Sequence, residues 1–510
     1  MSSIKISQST DLLVLPKITN PAYFQYLWDL VLKSQENGKS VKVIDLSKTQ
    51  SNADTPFPHV WDSINNMHKA QEKFLDNLAE IGVCRVPKVA SQTLPSEVAV
   101  AMNCVSELDD LMKWEFHQGE LGRSVYSVIV TEISKGFKIG SRKLRRIVND
   151  LVCDFYSAYN AVGFCLLTHT NIERVIVLNG RAPIQAGGAV AALKAGREVQ
   201  YLEHGWSVGD SYRIEGFVSQ NRLLEQQNLS KDIHKLNSES RAKGAAWLEE
   251  HQSNIRVNRF AGNFTIIEAT ENGHEPDNDK RLKASIFTSS LDEFAGYNDS
   301  AWPGPLWPSQ EEAINWVTDE LRSRGFDVVL RIHPNLMSKS WGEIRRVRRG
   351  LADWQGEMIG PANPLSSYEI LRESDICFVW ASTIGLEASA NGIPVYVLYH
   401  SLYDLFADVQ IVSEKKSLPE NLLWHVDSTK AVDFAALSLL RGEPVTNHLE
   451  SELFAWFNLQ ARSLATRNRV LRIILLPVLI IKEPYYSLKI CRILLGKKAG
   501  SSLWSRVVWR

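Results

Sequence analysis

Short apolar runs alternate with amphipathic segments along most of the chain. Near the beginning, apolar runs at 11–15 and 41–46 flank a segment, 23–34, whose apolar residues recur at helical spacing. Apolar runs of this length, bounded by polar residues, are typical of strands buried on both faces. A strand, a helix and a second strand in this order predict a parallel sheet and therefore an α/β fold.

The same pattern returns after a long stretch, 63–160, that is predicted to be mainly helical. Apolar runs at 174–178 and 198–202 predict two more strands with a helix between them. Each of these strands is followed by a loop that contains glycine, Asn179–Arg181 in the first case and Glu203–Gly205 in the second. Because parallel strands end at the same edge of a sheet, we expect both loops at the carboxyl edge of the first sheet.

A polar segment at 268–280 has the composition of a linker, and a second series of strands and helices follows it. The predicted strands are 284–290, 328–332, 376–380 and 394–398, and the predicted helices between them are 309–324 and 366–374. We therefore predict an amino-terminal domain, 1–267, with a helical insertion at about 63–160, and a carboxyl-terminal domain, 281–447. A segment at 448–510 follows, with a helix that returns to the first domain and a basic amphipathic tail.

Two of the predicted strands in the second domain end on residues suited to binding an anion. Pro334 has no backbone N–H for a sheet, so it ends the strand 328–332 and leaves His333 at the carboxyl end. Ser382 and Thr383 follow another of these strands, where a helix is predicted to begin. The N–H groups and dipole of a first helical turn favour a phosphate. Because open α/β sheets bind ligands at the carboxyl ends of their strands, these two ends predict a nucleotide site.

These motifs resemble those of a known family. A His-Pro strand end followed by a Ser-Thr…Glu-Ala…Gly-x-Pro helix and strand is similar to the carboxyl-terminal half of bacterial GT-B glycosyltransferases of capsule and lipopolysaccharide biosynthesis. In its motifs the chain looks most like the sialyl-, polysialyl- and Kdo-transferases, which carry an acidic-x-Gly, a His-Pro and a Ser-Ser or Ser-Thr element. The corresponding residues, within about 170–400, are Glu203-His204-Gly205, His333-Pro334, and either Ser366-Ser367 or Ser382-Thr383.

The resemblance implies a GT-B-like α/β fold of two doubly wound Rossmann-type domains facing a cleft. It implies that a sugar passes from a nucleotide-sugar in the carboxyl-terminal domain to a cell-surface polysaccharide or lipid-linked glycan in the amino-terminal domain. Retaining GT-B enzymes often carry Glu-x7-Glu, which would require a glutamate at the position of Val379, so that subset is disfavoured. We expect no metal ion or other cofactor, because no cluster in the sequence has metal-ligand spacing.

The resemblance also gives the donor-site residues their expected roles. His333 would stabilise the charge that grows on a departing phosphate, with Arg331 and Pro334 beside it. Ser382 and Thr383 would bind phosphate, although the same backbone groups also serve a simple helix cap. These five residues are the main candidates for the nucleotide-sugar site.

Three further donor-site candidates have competing explanations. Glu387 lies four residues beyond Thr383 on the same helical face, and it would bind ribose hydroxyls or form a surface ion pair. Ser366 begins a Ser-x-x-Glu sequence, a capping box that explains this serine without any substrate. Ser366 and Ser367 are therefore weaker candidates than Ser382.

An inverting transfer requires a base that takes the proton from the acceptor hydroxyl. The resemblance points to Glu203, while His204 stands where the family often has a second acidic residue. Histidine can serve as a base near neutral pH, so both residues remain candidates. Arg181 would clamp a carboxylate of the donor or acceptor with its planar guanidinium, or it is an ordinary loop arginine.

Other functions fit the same pattern. A polyol-phosphate transferase also places histidines near a phosphate, and a nucleotide-sugar epimerase on this fold needs no separate acceptor. A non-catalytic partner in polysaccharide assembly would keep the fold without the chemistry. The basic tail favours a membrane-bound acceptor over the epimerase.

Positive charge is concentrated in the last fifty residues. The segment 461–510 contains eleven Lys and Arg and one acidic residue, Glu483, although the whole chain has a net charge of −1. An apolar run at 473–481 is too short to span a bilayer, which takes about 20 residues. With its basic and aromatic neighbours this run suits a segment that lies on a membrane surface, and the alternative is a helix packed on the protein core.

Cysteine usage and the amino-terminus indicate the compartment. The six cysteines are dispersed, and the first residues lack an apolar signal-peptide core. We therefore expect a cytoplasmic protein, peripheral at the inner face of the cytoplasmic membrane. We expect no nucleic-acid partner, because no recognised module accompanies the basic charge.

Overall fold

The computed structural model describes residues 9–18, 20, 22–47, 61–86, 94–133, 141–206, 211–218, 221–252, 281–290, 306–334, 336, 341–354, 356–361, 363, 365–414 and 418–449. The predicted linker at 268–280, most of the return helix and the basic tail lie outside these residues. The chain forms two compact units. The first contains the described residues up to Asn221 and those from Arg441 onward, and the second contains those from Arg222 to Leu440.

The first unit is built on a seven-stranded sheet. Its strands are β1 (Thr10–Leu15), β2 (Ser40–Asp45), β3 (Cys84–Arg85), β4 (Ile172–Leu178), β5 (Glu198–His204), β6 (Ser211–Glu215) and β13 (Glu443–Pro444). They lie in the order β13-β6-β5-β4-β1-β2-β3. Strands β1 to β5 pair in parallel, and β6 and β13 add antiparallel pairs at one edge. The order β3-β2-β1-β4-β5 is that of a doubly wound Rossmann-type sheet, as predicted.

Helices cover both faces of this sheet. Helices α1 (Ala22–Glu36) and α2 (Trp61–Glu80) pack on one face, and α5 (Ser141–Thr168) and α6 (Pro183–Lys194) pack on the other. Helices α3 (Ser96–Cys104) and α4 (Glu120–Ile133) pack on α5 and α6, with a 3-10 helix at Leu108–Lys113. Successive side chains of a strand point to opposite faces, so Leu13 packs in a core with residues of α1 and α2. Its neighbour Leu12 packs in a second core with residues of α5 and α6. This two-sided burial explains why the strands read as continuous apolar runs.

The second unit has a six-stranded sheet in which every observed pairing is parallel. Its strands are β7 (Lys283–Phe287), β8 (Asp327–Arg331), β9 (Glu357–Ile359), β10 (Ile376–Trp380), β11 (Val395–Tyr399) and β12 (Gln410–Ile411), in the order β12-β11-β10-β7-β8-β9. The helices are α7 (Arg222–Asp232), α8 (Ser238–Gln252), α9 (Gln310–Ser323), α10 (Trp341–Gly350), α11 (Ser367–Arg372), α12 (Ile384–Ala390) and α13 (Ser428–Leu440), with a 3-10 helix at Ile233–Lys235. This strand order is again that of a Rossmann-type sheet, so the predicted fold class of two such domains is confirmed.

The boundary between the units lies at 221/222, and not near 267 where the sequence placed it. Helices α7 and α8 belong to the second unit because α8 packs along α13. Gly244 of α8 permits this close approach, since a Cβ atom there would lie 2.7 Å from the carbonyl oxygen of Val432. The sequence around 221 shows no change in composition. The polar segment at 268–280 does show one, so the sequence predicted the boundary there.

The chain returns to the first unit through a short segment that is fixed by a buried aspartate. Asp29 of α1 accepts hydrogen bonds from the backbone N–H groups of Thr446 (3.2 Å) and Asn447 (2.7 Å). Tyr212 of β6 donates to the same carboxylate (2.9 Å), and Lys33 forms an ion pair with it (2.8 Å). These contacts satisfy a carboxylate that is fully shielded from solvent.

Helix α5 is long and apolar enough to cross a membrane by length and composition alone. More than half of its most apolar window is buried inside the protein, where it packs against α6. The core helix of a globular protein has the same properties, so this helix is weak evidence for a membrane span.

Candidate active site

The carboxyl ends of β7, β8, β10 and β11 lie at one edge of the second sheet. The chain proceeds from β7 to β8 on one side and from β10 to β11 on the other, so the topological switch point lies between β7 and β10. Ligands of open α/β sheets bind in the crevice at such a point. Ser289 and Ser290 follow β7 there, and Ser382 follows β10. The two strand ends that the sequence singled out therefore lie at one edge, with β7 between them.

His333 lies at the carboxyl end of β8, as predicted, and is half-buried. Its backbone N–H donates a hydrogen bond of 2.7 Å to the hydroxyl of Thr288, which follows β7. Pro334 comes directly after it, beyond the end of the strand. His333, Thr288, Ser289 and Ser290 line a small pocket, so the histidine lies among hydroxyl groups at the switch-point side of the sheet.

Arg331 is directed toward the segment that follows the outer strand β9, and not toward the switch point between β7 and β10. Its side chain is almost fully buried, and its guanidinium donates to the backbone carbonyls of Gly360 (2.7 Å) and Asn363 (3.3 Å). Burial lowers the pKa of Arg331 to about 10, so the group stays charged at neutral pH. The structure therefore corrects the donor-binding role predicted for Arg331, because the guanidinium holds the segment that follows β9.

Ser382 and Thr383 lie where β10 gives way to α12, as predicted. The residue before them, Ala381, has φ of +51°, a conformation that is costly for a side chain with a Cβ atom. Tyr403 donates a hydrogen bond of 2.6 Å to the carbonyl of Ser382. The Thr383 side chain makes no capping hydrogen bond to α12, and Thr383 is exposed. A strained backbone held by a buried tyrosine is typical of positions that the surrounding structure keeps in place for a ligand.

Glu387 is buried rather than presented to solvent. It lies on α12 against Tyr368 of α11, and burial raises its pKa to about 7. Tyr368 donates a hydrogen bond that opposes this rise. This burial contradicts the surface ion pair predicted for Glu387, and the predicted contact with ribose hydroxyls stays a prediction.

The Ser366 side chain caps α11. Its hydroxyl accepts a hydrogen bond from the N–H of Tyr368 (3.2 Å), and Glu369 accepts one from the N–H of Ser366 (2.7 Å). This is the capping box that the sequence offered as the simpler explanation. Ser367 is the first residue of the same helix and is half-buried. Ser366 therefore has a structural role, and Ser382-Thr383 is the stronger candidate for a phosphate site.

A second polar cluster lies at the carboxyl edge of the first sheet, around Glu203 at the end of β5. The Glu203 carboxylate accepts hydrogen bonds from the Tyr23 hydroxyl (2.7 Å) and from the backbone N–H of His204 (2.8 Å). The side-chain amide of Asn179 donates to its other oxygen. The carboxylate is thus oriented by donors from three parts of the first unit.

The loop after β4 has the backbone that this arrangement needs. Asn179 and Gly180 have φ of +54° and +82°, the left-handed region that asparagine and glycine tolerate best. A Cβ atom on Gly180 would lie 2.3 Å from the ring of Tyr201, so only glycine fits there. The side-chain oxygen Oδ1 of Asn179 accepts a hydrogen bond from the backbone N–H of Arg181 (3.2 Å). The NH2 group of the same Asn179 side chain therefore faces Glu203.

Both ring nitrogens of His204 are engaged inside the first unit. Asn20 accepts a hydrogen bond from the N–H of Ala22, so its NH2 group faces Nε2 of His204 at 3.1 Å. The Tyr26 hydroxyl lies 3.1 Å from Nδ1. Burial lowers the pKa of His204, and the neutral ring that results matches this pair of contacts. This geometry favours Glu203 over His204 as the acceptor-side base.

Arg181 faces helix α4. Its Nη2 donates a hydrogen bond of 2.5 Å to the Thr131 hydroxyl, and its Nε donates to the Ser127 hydroxyl. The guanidinium is therefore positioned by two hydroxyl groups of the helical region 63–160. Its predicted contact with a substrate carboxylate stays a prediction.

The residues that follow β7 belong to the same edge, although none of the predicted site motifs includes them. Thr288, Ser289 and Ser290 are buried, and they lie between the His333 and Ser382 strand ends. The signal was present in the sequence, since a Thr-Ser-Ser run follows an apolar strand in the same way as Ser382-Thr383 does. Among the residues that the structure describes, no three His, Cys, Asp or Glu are grouped to hold a metal ion.

A larger pocket opens at the opposite, amino edge of the second sheet. It is lined by charged residues that pair with each other, such as Lys283 with Glu373 (2.8 Å) and Arg281 with Asp327 (3.8 Å). We nevertheless place the candidate site at the carboxyl edge, where the polar strand ends lie, because open α/β sheets bind their ligands at that edge.

No protein-family model and no curated protein matches the chain. Among solved structures it is similar to the KpsC β-Kdo 2,7 transferase of Thermosulfurimonas dismutans, with 15% identity, a TM-score of 0.34, and coverage of 59% of this chain and 90% of that one. The β-Kdo 2,4 transferase of the same protein gives 13% identity, a TM-score of 0.35, and coverage of 52% and 80%. A UDP-GlcNAc 2-epimerase of Neisseria meningitidis bound to UDP-GlcNAc gives 11% identity, a TM-score of 0.22, and coverage of 79% of this chain and 83% of that one. Similarity at this level assigns neither substrates nor residues.

Proposed function

We propose that the chain is a GT-B-type glycosyltransferase that moves a sugar from a nucleotide-sugar to a cell-surface polysaccharide or lipid-linked glycan. The observation that carries the proposal is the grouping of polar strand ends at the switch point of the second sheet. Three consecutive strands of that sheet, β10, β7 and β8, end on Ser382, on Ser289 and Ser290, and on His333. Hydroxyl groups, backbone N–H groups and an imidazole in this position suit the phosphates of a nucleotide.

On the donor side, the charge that grows on the departing nucleotide is met by groups of the second unit. His333 donates from its imidazole, and the backbone around Ser382 and Thr383 supplies N–H groups at the start of α12. Preorganised donors of this kind act only where charge develops, so they lower the barrier rather than merely tightening binding. This chemistry is proposed to proceed without a metal ion.

On the acceptor side, Glu203 is the proposed base. Its carboxylate is ready to take a proton from an acceptor hydroxyl, because Tyr23, Asn179 and the backbone hold it in one orientation. His204 is assigned a supporting role, since Asn20 and Tyr26 engage its ring nitrogens.

The proposed location is the inner face of the cytoplasmic membrane. The support is the composition of 461–510, where basic residues, aromatic residues and a short apolar run occur together. Segments of this kind bind anionic lipid surfaces. A lipid-linked acceptor would then be presented to the enzyme where it is bound.

The proposal is tested by incubating the purified full chain with the common nucleotide-sugars and with a short glycan acceptor, with and without EDTA. We expect one donor to raise the melting temperature, and that donor to transfer its sugar equally well with EDTA present. Conversion of the donor to its 2-epimer without acceptor would identify an epimerase instead. Transfer from a CDP-polyol would identify a polyol-phosphate transferase. If the chain neither binds nor turns over any nucleotide compound, the remaining candidate is a non-catalytic role.

A further inference from the structure

The loop that follows β11 carries a histidine–aspartate pair at the same sheet edge as Ser382. Nδ1 of His400 lies 3.1 Å from Oδ2 of Asp404, whose side chain is buried. The other carboxylate oxygen, Oδ1, accepts hydrogen bonds from the backbone N–H of Ser401 (2.8 Å) and from its hydroxyl. The sequence motifs and the proposed mechanism give this pair no role.

The hydrogen bonds around Asp404 determine which ring nitrogen of His400 donates to the carboxylate. An ionised carboxylate only accepts hydrogen bonds, and Oδ1 is already directed at the Ser401 donors. Oδ2 therefore accepts from Nδ1–H of His400. In the neutral ring the other nitrogen, Nε2, then carries the lone pair and is an acceptor. A side chain of this form suits a hydroxyl group, which has a proton to donate.

The loop is a fixed part of the proposed donor site. Strand β11 is the neighbour of β10, and Tyr399 pairs with Trp380, so His400 leaves β11 at the level where the chain leaves β10. Tyr403 of the same loop donates its hydrogen bond to the carbonyl of Ser382. The loop and the start of α12 are thus joined through one buried side chain.

Helix α7 holds the loop from its other side. Arg222, which is buried, donates a hydrogen bond of 3.1 Å to the carbonyl of His400. Gln226, also buried, donates to the carbonyls of Ser401 (2.9 Å) and Leu402 (3.2 Å). Two buried polar side chains thus donate hydrogen bonds to the backbone of one short loop, and they hold that loop in a fixed position.

We propose that His400 binds a ring hydroxyl of the nucleotide-sugar through Nε2, and that Asp404 is the positioning residue that fixes the ring tautomer. This inference rests on the proposed function. The phosphates are assigned to the ends of β10, β7 and β8, and β11 lies one strand further out, at a spacing of about 4.8 Å. The hydroxyl-bearing rings of such a donor flank its phosphates, as the ribose on one side and the transferred sugar on the other.

The experiment measures binding of the full chain to UDP, CDP, GDP, ADP and CMP, to their 2′-deoxy forms and to the corresponding nucleotide-sugars by calorimetry. His400→Ala is compared with wild type and with His425→Ala, which removes an exposed histidine of the same unit. We expect His400→Ala to weaken binding about tenfold, the effect of one net hydrogen bond, and His425→Ala to change nothing. His400→Gln, which offers a side-chain carbonyl, is expected to retain more affinity than alanine.

The probes distinguish the two possible rings. If the ribose is bound, His400→Ala weakens the nucleotide and the nucleotide-sugar equally. The variant then leaves binding of the 2′-deoxy forms unchanged if the 2′-hydroxyl is the partner, and weakens it as well if the 3′-hydroxyl is the partner. If the transferred sugar is bound, only the nucleotide-sugars are weakened. Wild-type affinity of His400→Ala for every probe would overturn the inference while leaving the proposed function in place. Failure of the wild-type chain to bind any probe would overturn both.

Asp404→Asn tests the tautomer. The Ser401 N–H still needs an acceptor, so the amide oxygen of the asparagine faces Ser401 and its NH2 group faces Nδ1 of His400. The ring proton then moves to Nε2, which becomes a donor. A ligand hydroxyl can also accept from Nε2–H, so we expect this variant to lose part of its affinity, but less than His400→Ala, while keeping its fold, as judged by circular dichroism. Full affinity in Asp404→Asn would contradict the positioning role.

Discussion

The hydroxyl of Tyr23 donates a hydrogen bond of 2.7 Å to Oε1 of Glu203. Burial, and then the charge of Glu203, raise the pKa of Tyr23 well above its ordinary value of 10. The hydroxyl therefore stays protonated, and stays a donor, throughout the range in which a transferase is assayed. The contact joins the first turn of α1 to the proposed base at the end of β5.

Tyr23→Phe is expected to lower kcat about tenfold. The variant removes one donor from a charged group, which costs about 1.5–3 kcal/mol, and part of that loss falls on the orientation of the base. Because Tyr23 does not ionise below its raised pKa, the ratio of wild-type to variant rates should be constant from pH 7 to pH 9. A ratio that approaches one at pH 9 would contradict the role assigned to the hydroxyl.

His333→Ala is expected to lower the rate of transfer about 10²- to 10³-fold, as for the loss of one preorganised donor to a developing anion. The melting temperature should change little, because the contact to Thr288 is made by the backbone N–H and survives the substitution. His425→Ala is the matched control and should transfer at the wild-type rate. Near-normal turnover of a folded His333→Ala chain would remove this residue from the mechanism.

Glu203→Gln and His204→Asn should differ in kind. Glu203→Gln is expected to lose kcat and keep its affinity for the nucleotide, because the proposed donor site lies on the second sheet. His204→Asn is expected mainly to lower stability, since Asn20 and Tyr26 lose their partner. If His204→Asn loses kcat as strongly as Glu203→Gln with an unchanged melting temperature, the assignment of the base must be revised.

The same histidine should make stability depend on pH. Burial lowers the pKa of His204 in the folded chain below its ordinary value of 6.5, so the unfolded chain binds the proton more readily. The stabilising contribution is complete above pH 6.5 and declines as the pH falls from there toward the lowered folded-state pKa. Urea unfolding between pH 7.5 and 5 should show this decline in wild type and a smaller one in His204→Asn.

Asp29→Ala is expected to lower the free energy of unfolding by about 3 kcal/mol, because it leaves Lys33 and Tyr212 beside an empty site and frees the N–H groups of Thr446 and Asn447. Asp433→Ala is the control. It breaks an exposed pair with Arg241 and should cost less than about 1 kcal/mol in the same urea titration.

Truncation before residue 469 should release the protein from vesicles of anionic lipid without abolishing transfer to a short soluble acceptor. Each basic residue near such a surface contributes about 1 kcal/mol, which salt screens, whereas the apolar run at 473–481 binds independently of salt. High salt should therefore release the full chain only in part. Unchanged vesicle binding with a lowered melting temperature would show instead that the tail packs on the protein.

Most ends of the central strands were predicted to within one or two residues, because burial on both faces leaves continuous apolar runs. Strand β10, at Ile376–Trp380, was predicted with its observed bounds. The strands β3, β6, β9, β12 and β13 were not predicted. All of them except β6 have only two or three residues, which carry no periodic signal.

At the candidate site, the sequence located strand ends but not side-chain surroundings. Arg331 and Glu387 are polar residues next to apolar runs, and a pattern assigns such residues to the surface unless a buried partner is known. The partners, Gly360 and Tyr368, lie 29 and 19 positions away in the sequence. For the same reason the role of His204 depended on Asn20, which lies 184 residues before it.

The return of the chain to Asp29 sets an order of events during synthesis. Residues 222–440, which carry the whole of the second sheet, leave the ribosome before Thr446 and Asn447 do. The second unit can therefore complete its sheet while the first still lacks β13 and the donors that satisfy the Asp29 carboxylate. Although it begins the chain, the amino-terminal unit is the last of the two to complete its sheet.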